Sequence, residues 1–297
     1  MGLRKAITYR EPIPSRDALL GRRVRIGLLY AVCALYQMQG TAYAAPFAYV
    51  TNAGSGNVSV INIPTNTVLT TVAVGSTPEQ VAVTPNGLLV YVTNSGSNTV
   101  TVISVFNHSV IATVPVGAGP VGVAITPNSA LAYVSSSGSN SVSVIDTATN
   151  AVTAAIPVGT GPAGVAVTPN GASVYVANFV SNTVTVIDTA TNAVTAAIPV
   201  GQRPDFLTVS RDGTSVYVPN QNSDSVSVID TATNAVTAAI PVGANPTGVA
   251  TTPSDVPIIP TLSDGASVLL LAAMAAALAL RIVGRPVSRP PRAPRES

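Results

Sequence analysis

Apolar and polar residues alternate in short runs from about residue 47 to residue 251, and the runs recur in a fixed order. Strict alternation, as in Thr183-Val184-Thr185-Val186, is typical of a strand with one apolar and one polar face. Turn residues separate the runs, and dipeptides such as Asn170-Gly171 favour tight hairpins because both residues tolerate positive φ. The fourth copy of the pattern predicts four strands: GVAVTP (164–169), ASVYVAN (172–178), NTVTVID (182–188) and AVTAAIPVG (193–201).

The copies follow one another every 42 residues, as two markers show. One marker is a tetrapeptide that reads YVTN, YVTN, YVSS, YVAN and YVPN, with its tyrosines at Tyr49, Tyr91, Tyr133, Tyr175 and Tyr217. The other is V-G-x-x-P, which begins at Val74, Val116, Val158, Val200 and Val242. Four-stranded units of this length, repeated without helices, are typical of propeller blades. The sequence therefore predicts an all-β propeller of about five blades over residues 45–253.

The two ends of the array indicate how the ring closes. The array begins with a second strand, Phe47-Ala48-Tyr49-Val50, and finishes with a first strand, Gly248-Val249-Ala250-Thr251. Pairing these two ends in one sheet would complete the first blade and remove two exposed strand edges. We therefore expect a ring closed by its N- and C-terminal strands.

Composition and charge agree with a β protein and argue against nucleic acid as a partner. The 297 residues are 47% hydrophobic and only 9% charged, with no tryptophan. The basic residues gather at the chain ends, so residues 49–253 hold two arginines against seven acidic residues, a net charge of −5. A surface of that sign repels phosphate backbones. The single cysteine, Cys33, lies outside the repeats, so we expect no disulfide in the mature protein.

The repeated motifs resemble those of a known family. YVTN, together with VIDTATNAVTAAIPVG (144–159, 186–201 and 228–243) and GVAVTPNG (164–171), is similar to the YVTN family of β-propeller repeats over about 205 residues (49–253). The resemblance implies an extracytoplasmic protein, since many members are surface-layer or envelope proteins. Propellers of this type usually have seven blades, whereas this chain carries five copies.

The first 44 residues predict a secretory signal peptide. Seven basic residues precede an apolar run from Ile26 to Leu35, and Ala42-Tyr43-Ala44 is a small-x-small cleavage pattern. The apolar run is about half the roughly 20 residues that a spanning helix needs. We expect export.

The chain end predicts a sorting signal. Residues 254–265 form a linker with the motif Ile259-Pro260-Thr261-Leu262-Ser263, residues 266–283 a short apolar transmembrane helix, and residues 284–297 a basic cytoplasmic tail. This order resembles the IPTL-CTERM signal of Gram-negative bacteria, which implies an exosortase-type sorting protease as a partner. The usual Glu-Trp-Gly is here Asp264-Gly265. The alternative is a plain membrane tether.

The sequence contains few candidate catalytic residues. His108 is the only histidine, so there is no Ser-His-Asp arrangement of the usual kind and no histidine cluster for a metal. We expect His108 to be an exposed turn residue. Asp146, Asp188 and Asp230 are equivalent by repeat, and we expect each to cap the turn that follows it. The sequence predicts a protein without catalytic residues, metal or cofactor.

A contact surface is predicted where the copies differ. The V-G-x-x-P segments (V-G loops) and the loops between second and third strands (2–3 loops) are expected to emerge on one face, and binding residues concentrate on such loops. The hypothesis assigns seven residues to this surface: Glu79, Gln80, Phe179, Arg203, Asp205, Phe206 and Gln221. The alternative is neutral variation in tolerant loops.

These features predict an exported, surface-sorted propeller that acts as a non-catalytic binding, adhesion or structural module of the bacterial envelope. Its ligand would be an envelope or extracellular protein or polysaccharide. The alternative is a membrane-tethered periplasmic accessory protein or enzyme of a metabolic system, because fold alone does not decide function.

Overall fold

The predicted all-β architecture is confirmed. The computed structural model describes residues 46–252, and within this range there are nineteen strands, one 3-10 helix (Gln221–Ser223) and no α-helix. The strands form five antiparallel sheets, numbered here as blades 1 to 5 in chain order, and within each blade every strand pairs with the next one along the chain.

The blades repeat one strand arrangement. Blade 1 has three strands, β1 (Phe47–Asn52), β2 (Asn57–Asn62) and β3 (Thr67–Ala73). Blade 2 has β4 (Pro78–Val83), β5 (Leu89–Asn94), β6 (Thr99–Ser104) and β7 (Val110–Pro115). Blade 3 has β8 (Pro120–Ile125), β9 (Leu131–Ser136), β10 (Ser141–Asp146) and β11 (Ala151–Pro157). Blade 4 has β12 (Pro162–Val167), β13 (Ser173–Asn178), β14 (Thr183–Asp188) and β15 (Val194–Pro199). Blade 5 has β16 (Thr208–Val209), β17 (Ser215–Asn220), β18 (Ser225–Asp230) and β19 (Ala235–Pro241).

The apolar core lies between the blades. Each blade has a tyrosine face, formed by the tyrosine of its second strand and the apolar residues of its third and fourth strands, and an isoleucine face on its other side. Between blades 4 and 5 the two faces bury one cluster, which includes Tyr175, Val184, Ile198, Val218 and Ile229. Equivalent clusters fill the other three interfaces. Each blade is therefore stabilised by its neighbours, as in other repeat proteins.

The two sequence markers of the repeat touch each other. The asparagine that ends the tetrapeptide is fully buried in blades 2, 4 and 5, and in blade 2 the amide of Asn94 donates to the Thr101 hydroxyl at 2.9 Å. The glycine of the V-G loop lies against this side chain, because a Cβ on Gly75 would fall 2.7 Å from Asn94 Cβ. Gly159 meets Asn178 in the same way. The markers recur together because one blade needs both.

The hairpin between the first two strands is tight, as the Asn-Gly dipeptides predict, but only one of the two residues has positive φ. Gly87 has φ of +71°, but Asn86 is not left-handed. The Gly87 N–H donates to the Thr84 carbonyl at 2.7 Å, and the Thr84 N–H donates to the Leu89 carbonyl at 2.9 Å. Proline at the second position, Pro85, suits the resulting four-residue turn. Only the glycine therefore requires positive φ.

The first strands of neighbouring blades lie beside one another, and we name them the inner strands. They approach closely at a glycine. A Cβ on Gly122 would lie 2.5 Å from the Ala163 carbonyl oxygen and 2.8 Å from Ser135 Oγ. The Ser135 hydroxyl donates to that same carbonyl and accepts from the Gly122 N–H. At the blade 4–5 interface Ala177 replaces the hydroxyl residue, but the glycine is kept, because a Cβ on Gly164 would lie 2.7 Å from the Asp205 carbonyl oxygen. In blade 5 itself Phe206 stands at the glycine position, and the inner strand is only two residues long.

The predicted closure is not shown. Blade 1 lacks a first strand, and residues 248–251 are in the described range but carry no strand assignment. The predicted signal peptide, the IPTL-like linker, the transmembrane helix and the basic tail lie outside the described residues. Within residues 46–252 no helix is long and apolar enough to span a bilayer.

Candidate functional site

The V-G loops and the 2–3 loops emerge on one face, and we name this surface the loop face. Backbone hydrogen bonds hold the two loops of a blade together. In blade 5 the Gln221 N–H donates to the Arg203 carbonyl at 3.0 Å, and in blade 4 the Phe179 N–H donates to the Gly161 carbonyl at 2.9 Å. These hydrogen bonds therefore fix the backbone of the loop residues that vary between copies.

Neighbouring blades are joined on this face as well. The Arg203 N–H donates to Asn182 Oδ1 at 2.9 Å, which fixes the V-G loop of blade 5 beside the 2–3 loop of blade 4. Arg203 has φ of +55°, an unusual conformation for a residue other than glycine. The bond places the Arg203 guanidinium 4.2 Å from the centroid of the Phe179 ring, in cation–π contact.

Five of the seven predicted contact residues lie at this junction, and we name them the 4–5 cluster: Phe179, Arg203, Asp205, Phe206 and Gln221. The Gln221 amide donates to Asp205 Oδ2 at 2.8 Å. Burial raises the pKa of Asp205, and the hydrogen bond from Gln221 and the positive charge of Arg203 act in the opposite direction. Phe206 follows Asp205, just ahead of β16, and is 38% exposed. The cluster thus combines a cation, a carboxylate, an amide and two aromatic rings.

Three further residues of this surface are absent from the prediction. Val180, Asn182 and Gln202 line a shallow depression of about 370 Å³ together with Phe179 and Arg203. Val180 is exposed and stands where the first three copies have Gly54, Gly96 and Gly138. This replacement of glycine by valine is the sequence signal that could have identified the surface.

The other two predicted residues do not join the 4–5 cluster. Glu79 and Gln80 lie in blade 2, and blade 3 separates them from blade 4. Glu79 Oε1 accepts from the Ser95 hydroxyl at 3.0 Å, within its own blade. Gln80 Oε1 accepts from the Val123 N–H at 2.6 Å, so Gln80 links two inner strands and its side chain oxygen is already occupied. A structural role accounts for Gln80.

The tyrosine that registers each copy makes a hydrogen bond across a blade interface, and we name this contact the latch. The hydroxyls of Tyr91, Tyr133 and Tyr175 donate to the turn asparagines Asn150, Asn192 and Asn234, at 2.7, 3.2 and 2.7 Å. Burial, with a smaller contribution from the charge of Asp146, raises the pKa of Tyr91 to about 12. The hydroxyl therefore remains a donor at neutral pH.

His108 is a latch residue as well. Its place in a turn was predicted correctly, but the prediction that it is exposed is wrong, because it is half-buried between blades 1 and 2. His108 Nδ1 and the Tyr49 hydroxyl are hydrogen-bonded at 3.2 Å, and the Phe47 ring packs edge-on against the imidazole at 4.6 Å. Histidine here replaces the asparagine of the other blades at positive φ (+55°).

Acidification is expected to weaken this one latch. Burial lowers the pKa of His108 below its ordinary value of 6.5, so the folded protein favours the neutral ring. The associated stability is complete above pH 6.5 and is lost as the pH falls through the lowered pKa. We expect the urea midpoint of the natural protein to fall further between about pH 7.5 and about pH 5 than that of His108→Asn. Equal declines in the two proteins would contradict this role for His108.

The equivalent aspartates cap their turns, as predicted. Oδ1 of Asp146, Asp188 and Asp230 each accepts the backbone N–H three residues ahead at 2.8 Å. Side-chain and backbone hydrogen bonds from Thr149 lower the pKa of Asp146, and the corresponding threonines do the same for Asp188 and Asp230. In the described range no three histidine, cysteine or acidic side chains gather as a metal site would require.

The comparisons with known proteins establish the architecture. Residues 116–256 match the model of the YNCE-like β-propeller family. The chain is a β-propeller repeat protein. No curated protein matches it.

Three solved structures have a fold similar to that of this chain. A Desulfotomaculum acetoxidans DSM 771 protein of unknown function is 21% identical, with a TM-score of 0.62 and 67% of each chain covered. Kuenenia stuttgartiensis hydrazine synthase is 28% identical, with a TM-score of 0.53, over 55% of this chain and 48% of its own. The dihydro-heme d1 dehydrogenase NirN, in complex with DHE, is 18% identical, with a TM-score of 0.58, over 68% and 45%. This chain thus spans about half the length of the latter two.

Proposed function

We propose that this propeller is an exported, non-catalytic binding module of the bacterial envelope and that the 4–5 cluster is its contact surface. One observation carries the proposal. At a junction held by the hydrogen bond from the Arg203 N–H to Asn182 Oδ1, three residues stand where several other copies have glycine, and all three are exposed: Arg203, Phe206 and Val180. Arginine and aromatic residues are those that contribute most to binding surfaces. The ligand class would be an envelope or extracellular protein or polysaccharide.

Removing the two largest side chains of this surface tests the proposal. We expect the double variant Arg203→Ala/Phe206→Ala to lose at least about tenfold in retention on envelope fragments of the source bacterium, since two such side chains together contribute at least about 1.4 kcal/mol. The matched control is Leu88→Ala/Phe106→Ala, which removes two exposed apolar side chains from turns at the other ends of the strands. Equal retention of the two variants would end the proposal.

A second candidate is an accessory role in a periplasmic metabolic system. Its support is the similarity to hydrazine synthase at 28% identity over 55% of this chain. This function predicts that the propeller copurifies with an enzyme complex rather than with envelope fragments. Deletion of the gene would then lower that complex's activity, which the binding-module proposal does not require.

The proposal also includes the cellular location of the protein. Export would remove residues 1–44, and sorting would cut the chain near Ile259-Pro260-Thr261-Leu262-Ser263, before the helix at 266–283. The intact mass of the protein recovered from its native envelope distinguishes these outcomes. A mass without both ends supports surface sorting by an exosortase-type protease. A mass that retains the chain to Ser297 indicates a tethered periplasmic protein and favours the second candidate.

The proposed module is also a closed ring, in which residues 248–251 supply the first strand of blade 1. Four residues (242–245) separate β19 from Pro246, as four residues (116–119) separate β7 from Pro120. A strand that begins at Pro246 would therefore take the inner position that follows blade 5. If the ring is closed, blade 1 follows blade 5, and the strand from Pro246 supplies the first strand that blade 1 lacks.

A further inference from the structure

The two ends of the array present the two halves of the blade interface. Blade 5 has an uncovered tyrosine face, where Ile240 is 44% exposed although the equivalent Ile198 is 5% exposed. Blade 1 has an uncovered isoleucine face, where Val50 is 44% exposed although Val92, Val134 and Val176 are fully buried. The two end surfaces are therefore both apolar, and they are the two faces that pack against each other at every other blade interface.

Both ends also carry one half of a latch. Tyr217 is the tyrosine of blade 5 and is partly exposed, whereas Tyr91, Tyr133 and Tyr175 are fully buried. Asn66 occupies the turn position of Asn150, Asn192 and Asn234 and has the same left-handed backbone, with φ of +53°. Neither the Tyr217 hydroxyl nor the Asn66 amide makes a hydrogen bond within residues 46–252, and Asn66 is exposed where its three counterparts are partly buried.

We propose that Tyr217 and Asn66 form a fifth latch, at a seam where blade 5 of the chain docks on blade 1 of the same chain. This rests on the closed ring of the proposed function and specifies its contacts. The Tyr217 hydroxyl donates to Asn66 Oδ1, and Ile240 and Val50 become buried in the seam. In blade 4 the inner strand pairs with the second strand through Val165 opposite Val176 and Ala166 opposite Tyr175. The same register pairs Val249 with Val50 and Ala250 with Tyr49.

The blade 4–5 interface shows that two neighbouring blades can pack without a hydroxyl contact between their inner strands. Residue 219 is proline, so blade 5 offers no hydroxyl to the next inner strand. Blade 4 also lacks this hydroxyl, at Ala177, yet it packs on blade 5 through a full apolar cluster and the Tyr175 latch.

A double-mutant cycle tests the latch against a matched control within the same protein. The seam pair is Tyr217→Phe and Asn66→Gly, and the control pair is Tyr133→Phe and Asn192→Gly, whose latch measures 3.2 Å. Glycine retains the left-handed backbone that asparagine adopts here. We expect each double variant of the full chain to lower the urea midpoint less than the sum of its single variants. Additive losses at the seam, beside coupling in the control, would overturn the proposal.

A cross-linking measurement separates closure within one chain from docking of a second copy. In a Cys33→Ser background, Tyr217→Cys/Asn66→Cys treated with a short bismaleimide is expected to give a monomeric cross-linked product, as Tyr133→Cys/Asn192→Cys does. A dimeric product would overturn closure within the chain in favour of a second copy, and no product, with the control linked, would overturn the seam. Because envelope binding is measured separately on Arg203 and Phe206, its failure is distinguishable from a failure of the seam.

Discussion

Replacement of Gly122 by valine is expected to lower the free energy of unfolding by about 3 kcal/mol or more, at the upper end of what overpacking costs. The first atom of the new side chain would lie 2.5 Å from the Ala163 carbonyl oxygen, which belongs to the backbone of the next inner strand. That carbonyl accepts the Ser135 hydroxyl, so it has little freedom to move. Blades 3 and 4 would have to separate, which exposes the cluster between them. Urea unfolding measures the loss.

Gly54→Val is the matched control for this substitution. A Cβ on Gly54 would meet no atom within 4 Å, and Gly54 does not have positive φ. We expect a change of less than about 0.5 kcal/mol, as for most surface substitutions. If both variants lost the same stability, backbone freedom rather than close approach would explain the glycine at position 122.

Truncation of Tyr175 to alanine is expected to lower the free energy of unfolding by about 4 kcal/mol, the usual cost of removing a buried aromatic side chain. Tyr175 is fully buried between blades 4 and 5, and its hydroxyl donates to Asn234 Oδ1 at 2.7 Å. Tyr175→Phe removes only the hydroxyl and is expected to cost about 1 kcal/mol. The difference between the two variants separates ring packing from the latch, again by urea unfolding.

Tyr217→Ala is the comparison for Tyr175→Ala. In the described part of the chain Tyr217 faces no neighbouring blade, so an open arc predicts a smaller loss than at Tyr175. Docking of blade 5 on blade 1 predicts a loss of similar size at both positions. This comparison therefore bears on the seam as well as on the core.

Much of the fold could be predicted from the sequence because strands and turns are local features. The 42-residue period, the alternation in Thr183–Asp188 and the glycine of Asn86-Gly87 give the number, order and faces of the strands. The turn caps at Asp146, Asp188 and Asp230 also follow from residues that are neighbours in the chain. Apart from the period, these signals depend on residues that are close together in the chain.

Contacts between blades could not be predicted in this way. Tyr91 and Asn150 are 59 residues apart, and nothing in the spacing of the repeat shows that a tyrosine of one blade reaches the turn of the next. For the same reason His108 was expected to be exposed, although its ring lies against Phe47 and Tyr49. The rotation between blades decides which side chains meet, and this rotation is a property of the packed interface.

The same distinction between local pattern and contacts between blades applies to the candidate site. Variation between copies was sufficient to select seven loop residues, and five of them lie together at the blade 4–5 junction. The sequence by itself determined the strands, the blades and the variable loops, because these depend on local pattern. Only the tertiary structure decided that Phe179 meets Arg203, that Gln80 is engaged by the Val123 N–H and that both ends of the array carry a free half of an interface. Those outcomes depend on how neighbouring blades pack, which no single repeat encodes.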